Sequence, residues 1–269
     1  MPRDRPHPLA FFSLVALNKR AYAVLNHPDN IHNVSVFRDP MQDKNILHGL
    51  DIGLHIGSKS RYTLATIGRC GDILVEGSSV SRIQCSFEMH EKTKQIMLQD
   101  RSSNRSTQFF GDTAVPFELW RPHRRVVVHE KVNLIFGFGG VACDLYQFQI
   151  VWHKRDDLKA NMNLDYRELN PRQARTVLEQ PPTDVPSQRA TRIHTPGNAE
   201  TLRFSEIEPL GKGSYGTVFK AANVDSGEYL AVKVVNRPSL LSQDWKMLKR
   251  EVENLSRISH VGNIRCRRP

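Results

Sequence analysis

The sequence has few cysteines and no long apolar run. Four cysteines among 269 residues show no CxxC spacing, and a chain of this length does not need disulfide bonds to fold. The longest apolar run, from Leu9 to Leu17, is far shorter than the about 20 residues that cross a bilayer. These absences argue against a disulfide-stapled domain and against a membrane span, and they predict an intracellular protein with reduced thiols.

The same apolar run has one competing interpretation. Arg3 and Arg5 precede it and the tripeptide AYA at 21–23 follows it, an order that loosely imitates a secretory signal peptide. Lys19 and Arg20, however, stand where the region before a cleavage site should be uncharged. We therefore interpret the run as a buried first strand.

Neither the charge nor the histidines point to a nucleic-acid or metal site. Lys and Arg number 38 against 28 Asp and Glu, a net charge of +10, but the basic excess is spread along the chain. Only 121–125 and 265–268 are densely basic, whereas a nucleic-acid-binding protein usually collects its basic residues on one face. The 11 histidines show no ligand spacing with cysteines or carboxylates. We predict no bound metal and no direct contact with nucleic acid.

The chain divides by composition into two patterned parts and a linker. Between about residues 9 and 153, short β-favouring runs alternate with Gly, Ser, Asn and Asp, which is typical of a β-sandwich. Residues 154–200 are polar and rich in proline, so we predict a flexible linker. Residues 201–269 then predict three strands and an amphipathic helix. The predicted fold is therefore mainly β. The runs of the first part cover 11–17, 62–67, 73–76, 83–89, 95–100, 125–130, 132–138 and 145–152, with a helical turn at 21–26.

A glycine-rich loop lies between the first two strands predicted in the second part. It comprises Gly211, Lys212, Gly213, Ser214, Tyr215 and Gly216. Glycines let backbone amides approach phosphate groups because no Cβ intervenes. A dinucleotide-binding loop would lead into a helix, whereas a strand follows here, so that interpretation fails. Lys233, in the run YLAVKVV, and Glu251, on the predicted helix, follow the loop.

Together these features resemble the small lobe of a protein kinase, an antiparallel sheet with one helix. In that family the glycine loop covers the phosphates of ATP, Lys233 would hold them, and Glu251 would pair with Lys233. Glu253 is the alternative partner, although the segment HVGNI at 260–264 favours Glu251. The resemblance implies an ATP site made of Gly211, Lys212, Gly213, Ser214, Tyr215, Gly216, Val218, Ala231, Lys233 and Glu251, with Val218 and Ala231 against the adenine.

The remaining kinase motifs have no counterpart in the sequence. No HRD catalytic loop, DFG segment or APE segment follows His260, so no catalytic residue is predicted. Phosphoryl transfer by this mechanism requires a catalytic Asp and magnesium ligands, and we expect magnesium only where a large lobe is present. We expect the sequence to be truncated within the small lobe, with a natural end at Pro269 as the alternative, and these residues to be inactive alone.

Three polar loops of the first part contain arginine, hydroxyl and amide groups. They carry IGR at 67–69, SRIQ at 81–84 and DRSSN at 100–104, and loops at one end of a sandwich often carry recognition sites. Two arginines and a hydroxyl suit a phosphate dianion. These motifs resemble those of forkhead-associated (FHA) domains, which read phosphothreonine. The resemblance implies phosphate contacts from Arg69, Ser81 and Arg82, and contacts to the peptide main chain from Ser103 and Asn104.

Two positions depart from the FHA pattern. Gln84 stands where the family has a histidine that braces the loop, and an amide can replace some of that histidine's hydrogen bonds. Arg105 stands where the family has glycine, which matters if the turn needs a positive φ. The fold prediction does not depend on either position, but binding of phosphothreonine does.

An FHA-like sandwich linked to a kinase small lobe resembles the checkpoint-type serine/threonine kinases of the calcium/calmodulin-kinase group, particularly fungal ones. The resemblance implies ATP as cofactor, phosphothreonine-containing proteins as partners, and a nuclear location, with the cytoplasm as the alternative. It implies recruitment that raises the local kinase concentration, and self-association through phosphorylated linker threonines. Two alternatives stay open: a non-catalytic phosphothreonine-binding adaptor, and a degenerate sandwich that only pairs with other proteins.

Overall fold

The structure, a computed structural model, describes residues 1–39, 45–58, 60–118, 123–140, 144–153, 202–213, 216–235, 245–247, 249–250 and 253. The predicted linker at 154–200 and three predicted ATP-site residues, Ser214, Tyr215 and Glu251, lie outside these ranges. The chain divides into two compact units, Met1–Arg203 with Val224–Glu228, and Phe204–Asn223 with Tyr229–Pro269.

The first unit is a β-sandwich of two sheets. In chain order its elements are β1 (Ala10–Ala16), α1 (Lys19–Leu25), a 3-10 turn (Ile31–Asn33), β2 (Val34–Arg38), β3 (Ile46–Gly53), β4 (Thr63–Gly68), β5 (Ile73–Leu74), β6 (Cys85–Met89), β7 (Ile96–Asp100), β8 (Gln108–Phe110), β9 (Arg125–Val127), β10 (Ile135–Phe138) and β11 (Tyr146–Trp152). One sheet has the order β2-β3-β1-β11-β10-β8 and the other β5-β4-β6-β7-β9. The strand pairs are antiparallel except β4 with β5. Each run predicted for this part overlaps an observed strand.

Aromatic side chains from both sheets form the core of the sandwich. Phe12 on β1 and Phe87 on β6 are fully buried, and their rings meet edge to face with centroids 4.9 Å apart. Phe136 on β10 contacts Phe87 in the same way at 5.4 Å. Burial of one such side chain contributes about 1.5–3 kcal/mol, so these alternating inward residues hold the two sheets together.

A buried polar network ties three neighbouring strands of the first sheet. Asp51 on β3 is fully buried, and its Oδ1 accepts hydrogen bonds from the hydroxyls of Ser13 on β1 at 2.6 Å and Ser35 on β2 at 2.7 Å. His153 Nε2 lies 2.6 Å from the Ser13 oxygen. Because the Ser13 hydroxyl donates to Asp51, His153 is the donor in this contact. The network thereby compensates the buried carboxylate.

The first unit also includes the turn Val224–Glu228. The backbone N–H of Val127 donates to the carbonyl of Val224 at 2.7 Å, and Val224 is buried with the sandwich core. The Thr93 hydroxyl donates to the carbonyl of Gly227 at 2.7 Å. This turn therefore packs as part of the sandwich unit.

The second unit contains a three-stranded antiparallel sheet. Its strands are β12 (Phe204–Gly213), β13 (Gly216–Asn223) and β14 (Tyr229–Val235), in that order across the sheet. The described residues between 245 and 253 are helical, as the apolar spacing predicts. The mainly β fold class, a sandwich together with an antiparallel sheet and a helix, is confirmed. Within the described part of the chain, no helix has the length and apolar character needed to cross a membrane.

Candidate functional site

The loop after β4 contacts the loop before β6. Arg69 is exposed, its backbone N–H donates to the carbonyl of Ser81 at 3.2 Å, and its Nε donates to the carbonyl of Val80 at 2.8 Å. A Cβ on Gly68 would lie 2.5 Å from the carbonyl oxygen of Arg82. Glycine is therefore required for this close approach, which fixes the backbone that carries Arg69.

The loop after β7 joins the same cluster through Ser103. Its backbone N–H donates to the hydroxyl of Ser81 at 3.3 Å, and the two hydroxyl oxygens are 3.5 Å apart. Asn104 is exposed beside it. Arg82 is exposed as well, and its guanidinium makes no hydrogen bond or ion pair with the residues that the structure describes. The three predicted loops thus come together and present Arg69, Ser81, Arg82, Ser103 and Asn104 at one edge of the sandwich.

Gln84 braces two of these loops from within the protein. It is fully buried. Its Oε1 accepts from the N–H of Ser81 at 3.1 Å, and its Nε2 donates to the hydroxyls of Ser106 at 2.9 Å and Thr107 at 3.1 Å. These three side-chain hydrogen bonds all go to residues of the two loops. The side chain that departs from the FHA pattern therefore connects the loop before β6 to the loop after β7.

A second buried brace lies at the end of β7. Asp100 accepts hydrogen bonds from the backbone and hydroxyl of Ser102 at 3.0 and 2.7 Å and from the hydroxyl of Thr107 at 2.9 Å. The guanidinium of Arg124 pairs with its other oxygen. The two charged side chains are 1% and 9% exposed, so this is a buried ion pair that fixes both ends of the loop. Sequence reasoning missed it, although an Asp followed two residues later by Ser is a signal for such a turn.

Arg105 adopts a positive φ of 51° in this loop. Its backbone N–H donates to the carbonyl of Ser102 at 3.3 Å, which closes the turn. The left-handed conformation anticipated from the sequence is therefore present, and an arginine rather than a glycine occupies it.

A surface pocket of about 430 Å³ adjoins Arg69. Its lining includes Asp29, Glu76 and His27, and His27 Nε2 lies 3.4 Å from Glu76 Oε1. Arg69 itself and Ser78 also line the pocket, so it contains a guanidinium and a hydroxyl as well as two carboxylates.

The strand register of the second unit brings four predicted ATP-site residues onto one face. Val218 on β13 stands opposite Gly211 on β12 and opposite Lys233 on β14. Directly opposed residues of antiparallel strands share a face, and Ala231, two residues from Lys233, shares it too. Gly213 pairs with Gly216 at the end of the hairpin. Lys212 is exposed and pairs with Thr217, on the opposite face.

Gly211 and Gly216 of the glycine-rich loop have different surroundings. A Cβ on Gly211 would meet nothing within 4 Å among the described residues, whereas one on Gly216 would lie 2.1 Å from the carbonyl oxygen of Val234. Gly216 is therefore required by the sheet itself. Among the described residues, the space next to the Gly211 Cα is open, which is the geometry that a phosphate-cradling loop needs.

Charged side chains also lie on the sheet and the helix of this unit. Lys220 Nζ lies 3.0 Å from Glu208 Oε1, and this hydrogen bond raises the pKa of Lys220. Glu253, the alternative partner of Lys233, has its Oε1 4.0 Å from Lys249 Nζ. Within the described residues, no three His, Cys, Asp or Glu side chains are grouped so that they could hold a metal ion.

Known proteins resemble parts of this chain. No protein-family model matches it. It is 34% identical over 58 residues to cell division control protein 7 of Schizosaccharomyces pombe, a match that covers 22% of this chain and 6% of that protein. It is 29% identical over 73 residues to the serine/threonine-protein kinase cds1 of the same yeast, covering 25% and 16%. It is 32% identical over 95 residues to mitogen-activated protein kinase kinase kinase 3 of Arabidopsis thaliana, covering 33% and 14%.

A solved structure, the crystal structure of Rad53 1-466 in complex with AMP-PNP, is similar with a TM-score of 0.41 and 14% identity, over 97% of this chain and 53% of that one. A TM-score this low does not establish a shared fold, so the fold is assigned from the strands described above. Two of these three relatives are named as protein kinases, and all three are matched over small fractions of their lengths. The resemblance to serine/threonine protein kinases predicted from the sequence is confirmed at the level of these partial matches.

Proposed function

We propose that the sandwich binds phosphothreonine peptides through the loops that carry Arg69, Ser81 and Ser103. The observation that carries the proposal is the contact of these loops with one another, held from inside by Gln84. Because these loops are already fixed, they lose little conformational entropy when a ligand binds.

The exposed groups of the site match the chemistry of a phosphorylated peptide. Arg69 and Arg82 offer guanidinium groups, which form strong charge-assisted hydrogen bonds with phosphate oxygens. The hydroxyl of Ser81 provides a third polar contact, and the amide of Asn104 can both donate to and accept from a peptide backbone. This division of roles supports a phosphate subsite beside a main-chain subsite.

The test is a titration of the full chain with fluorescent phosphothreonine peptides. We expect binding that unphosphorylated peptides do not show and that phosphoserine peptides show more weakly. Arg69→Ala should reduce affinity at least about tenfold, since a charged hydrogen bond contributes about 1.5–3 kcal/mol. Arg125→Ala, which removes an exposed arginine elsewhere on the sandwich, is the matched control. Equal binding by the wild type and Arg69→Ala would refute the assignment.

We further propose that the sheet of the second unit binds ATP as part of a kinase small lobe. Two observations support this proposal: no described residue lies within 4 Å of a Cβ on Gly211, and Val218, Ala231 and Lys233 share a face. Lys233 would contact the phosphates, and Glu251 would orient it as in the family that the sequence resembles. Phosphoryl transfer also needs a catalytic Asp and magnesium ligands, for which these 269 residues hold no motif. We therefore expect no phosphoryl transfer from these residues alone.

Two glycine variants separate ATP binding from folding. Gly211→Ala meets no described neighbour within 4 Å, so we expect normal stability and weaker binding of a fluorescent ATP analogue. Gly216→Ala clashes with the carbonyl of Val234 and should lower stability. Lys233→Met should abolish analogue binding. Unchanged nucleotide binding in both Gly211→Ala and Lys233→Met would refute the nucleotide site.

Taken together, the two sites support an ATP-dependent serine/threonine kinase that is recruited to phosphothreonine partners, as in checkpoint signalling. Recruitment raises the local concentration of a kinase at its target, because the bound sandwich holds the linked kinase domain near it. Phosphorylated linker threonines of a second copy are proposed ligands too, and the nucleus is the proposed location. A non-catalytic phosphothreonine-binding adaptor is the alternative.

A further inference from the structure

The pocket beside Arg69 holds groups that the proposed phosphate contacts do not use. Its volume is about 430 Å³, within the range of about 300–1,000 Å³ that is usual for ligand pockets. Its lining residues come from the loop after β4 (Arg69), the segment after α1 (His27 and Asp29) and the segment 74–78, which begins in β5. Because Arg69 is one of them, the pocket directly adjoins the proposed phosphate subsite.

Hydrogen bonds from buried side chains fix the backbone of this pocket. Asn30, which is fully buried, donates to the carbonyl of Leu74 at 2.8 Å and accepts from the N–H of Leu74 at 2.9 Å. The hydroxyl of Tyr146 donates to the carbonyl of Glu76, and a Cβ on Gly77 would lie 2.8 Å from that hydroxyl oxygen. The segment after α1 and the segment after β5 are therefore held in place before any ligand arrives.

The side chains of the pocket match the chemistry of a lysine or an arginine, which combine an apolar stem with a cationic end. Asp29 and Glu76 are exposed carboxylates, and Leu74 is partly exposed. Nδ1 of His27 accepts from the N–H of Asp29 at 3.2 Å, so the neutral ring carries its proton on Nε2, 3.4 Å from Glu76 Oε1. When Arg69 binds a phosphate, the other formal charges of the lining residues are both negative.

We propose that this pocket binds a lysine or arginine side chain of the phosphothreonine peptide, so that the sandwich selects peptides with a basic residue close to the phosphothreonine. The apolar stem packs on Leu74, and the cationic end pairs with Asp29 and Glu76. The basic residue is close to the phosphothreonine because Arg69 belongs to both subsites. This inference rests on the proposed phosphothreonine function and extends it to sequence specificity.

The experiment moves a single lysine through a phosphothreonine peptide whose other residues are neutral. Fluorescence anisotropy on the full chain measures the affinity for each position of the lysine, on both sides of the phosphothreonine, at pH 8, where an ordinary histidine is neutral. We expect lysine to bind about fivefold more tightly than alanine at one position or at two neighbouring ones, the effect of two exposed ion pairs of ordinary strength. Glutamate at the same position should weaken binding.

Variants of the two carboxylates assign this preference to the pocket. The measured quantity is the ratio of lysine-peptide to alanine-peptide affinity on the same protein, which cancels general effects on phosphate binding. Asp29→Asn and Glu76→Gln should each lower the ratio about twofold, and Glu76→Lys should favour glutamate over lysine. Glu91→Gln is the matched control, because Glu91 is an exposed carboxylate that lies after β6, whereas Ser81 lies before that strand. It should keep the full ratio.

The possible results separate this inference from the proposed function. Phosphothreonine-dependent binding without a lysine preference at any position overturns the inference alone. The same holds for a preference that Asp29→Asn and Glu76→Gln leave unchanged, or that Glu91→Gln lowers equally, since the net charge of the protein would then account for it. Absence of any phosphothreonine-dependent binding overturns the proposed function and this inference with it.

Discussion

At the scale of single residues, the candidate site depends on buried polar side chains as much as on exposed ones. The exposed Arg69 and Arg82 could be named from the sequence because their motifs are local. The role of Gln84 could not, because its three partners come from two loops that meet only in the folded sandwich. The same holds for Arg124, which is 24 residues from Asp100 in sequence.

Gln84→Ala is expected to weaken both folding and binding. It removes three hydrogen bonds and leaves the amide of Ser81 and the hydroxyls of Ser106 and Thr107 without this partner, which should lower the free energy of unfolding by about 2–3 kcal/mol. Urea denaturation measures the loss, with Gln108→Ala, an exposed position on β8, as the control. Equal stability of the two variants would mean that the brace contributes nothing.

The buried network around Asp51 predicts a pH dependence of stability. Burial lowers the pKa of His153 below 6.5, partly opposed by Asp51. Below pH 6.5 the unfolded chain therefore binds more protons than the folded one, and the free energy of unfolding should fall as the pH drops from 7 to 5. His153→Gln keeps a donor for Ser13 and should make this decline shallower without abolishing it, since the pKa of His7 and His129 is lowered too. A steeper decline in His153→Gln would contradict the assignment.

At the scale of elements, most strands of the sandwich fall in runs predicted from the sequence, but β2, β3 and β8 do not. β3 was missed because it contains two glycines and the carboxylate of Asp51, which read as turn residues. In the fold, Gly49 and Gly53 sit where a Cβ would lie 2.7 Å from the Ser13 side chain and 2.0 Å from the carbonyl oxygen of Leu9. Gly49 and Gly53, which hid this strand in the sequence, are the residues that allow β1 and Leu9 to approach it closely.

The junction of β7 and β9 predicts the effect of breaking an ion pair. Arg124→Met leaves the carboxylate of Asp100 buried without its cation, which should lower the free energy of unfolding by about 3–5 kcal/mol and weaken phosphopeptide binding, because the loop after β7 loses its anchor. The neighbouring Arg125→Met, at an exposed position, should cost less than about 0.5 kcal/mol. Equal losses of unfolding free energy in the two variants would show that the Arg124–Asp100 ion pair does not stabilise the fold.

At the scale of the whole molecule, the sequence patterns cover more of the chain than the matches to curated relatives do. The sandwich was predicted from strand spacing and loop motifs, and the kinase relatives match about a quarter to a third of the chain. The linker prediction for 154–200 rests on composition alone, since a polar, proline-rich segment buries too little apolar surface to offset its ordering entropy.

Limited proteolysis tests this organisation. Brief trypsin digestion of the full chain should cut first at the lysines and arginines between 154 and 200, because protease sites concentrate in exposed segments with little burial. Mass spectrometry of the first fragments identifies the cut sites. Early cuts within β1 to β11, at the same rate as in 154–200, would contradict the predicted division.

The most direct test of the account is a backbone amide NMR titration of the full chain with one phosphothreonine peptide. Binding at the proposed site predicts the largest shifts at Arg69, Ser81 and Ser103, with the smallest in the strands of the second unit, and no shifts with the unphosphorylated peptide. Shifts confined to other surfaces, or equal shifts with both peptides, would contradict the central claim that these braced loops read phosphothreonine.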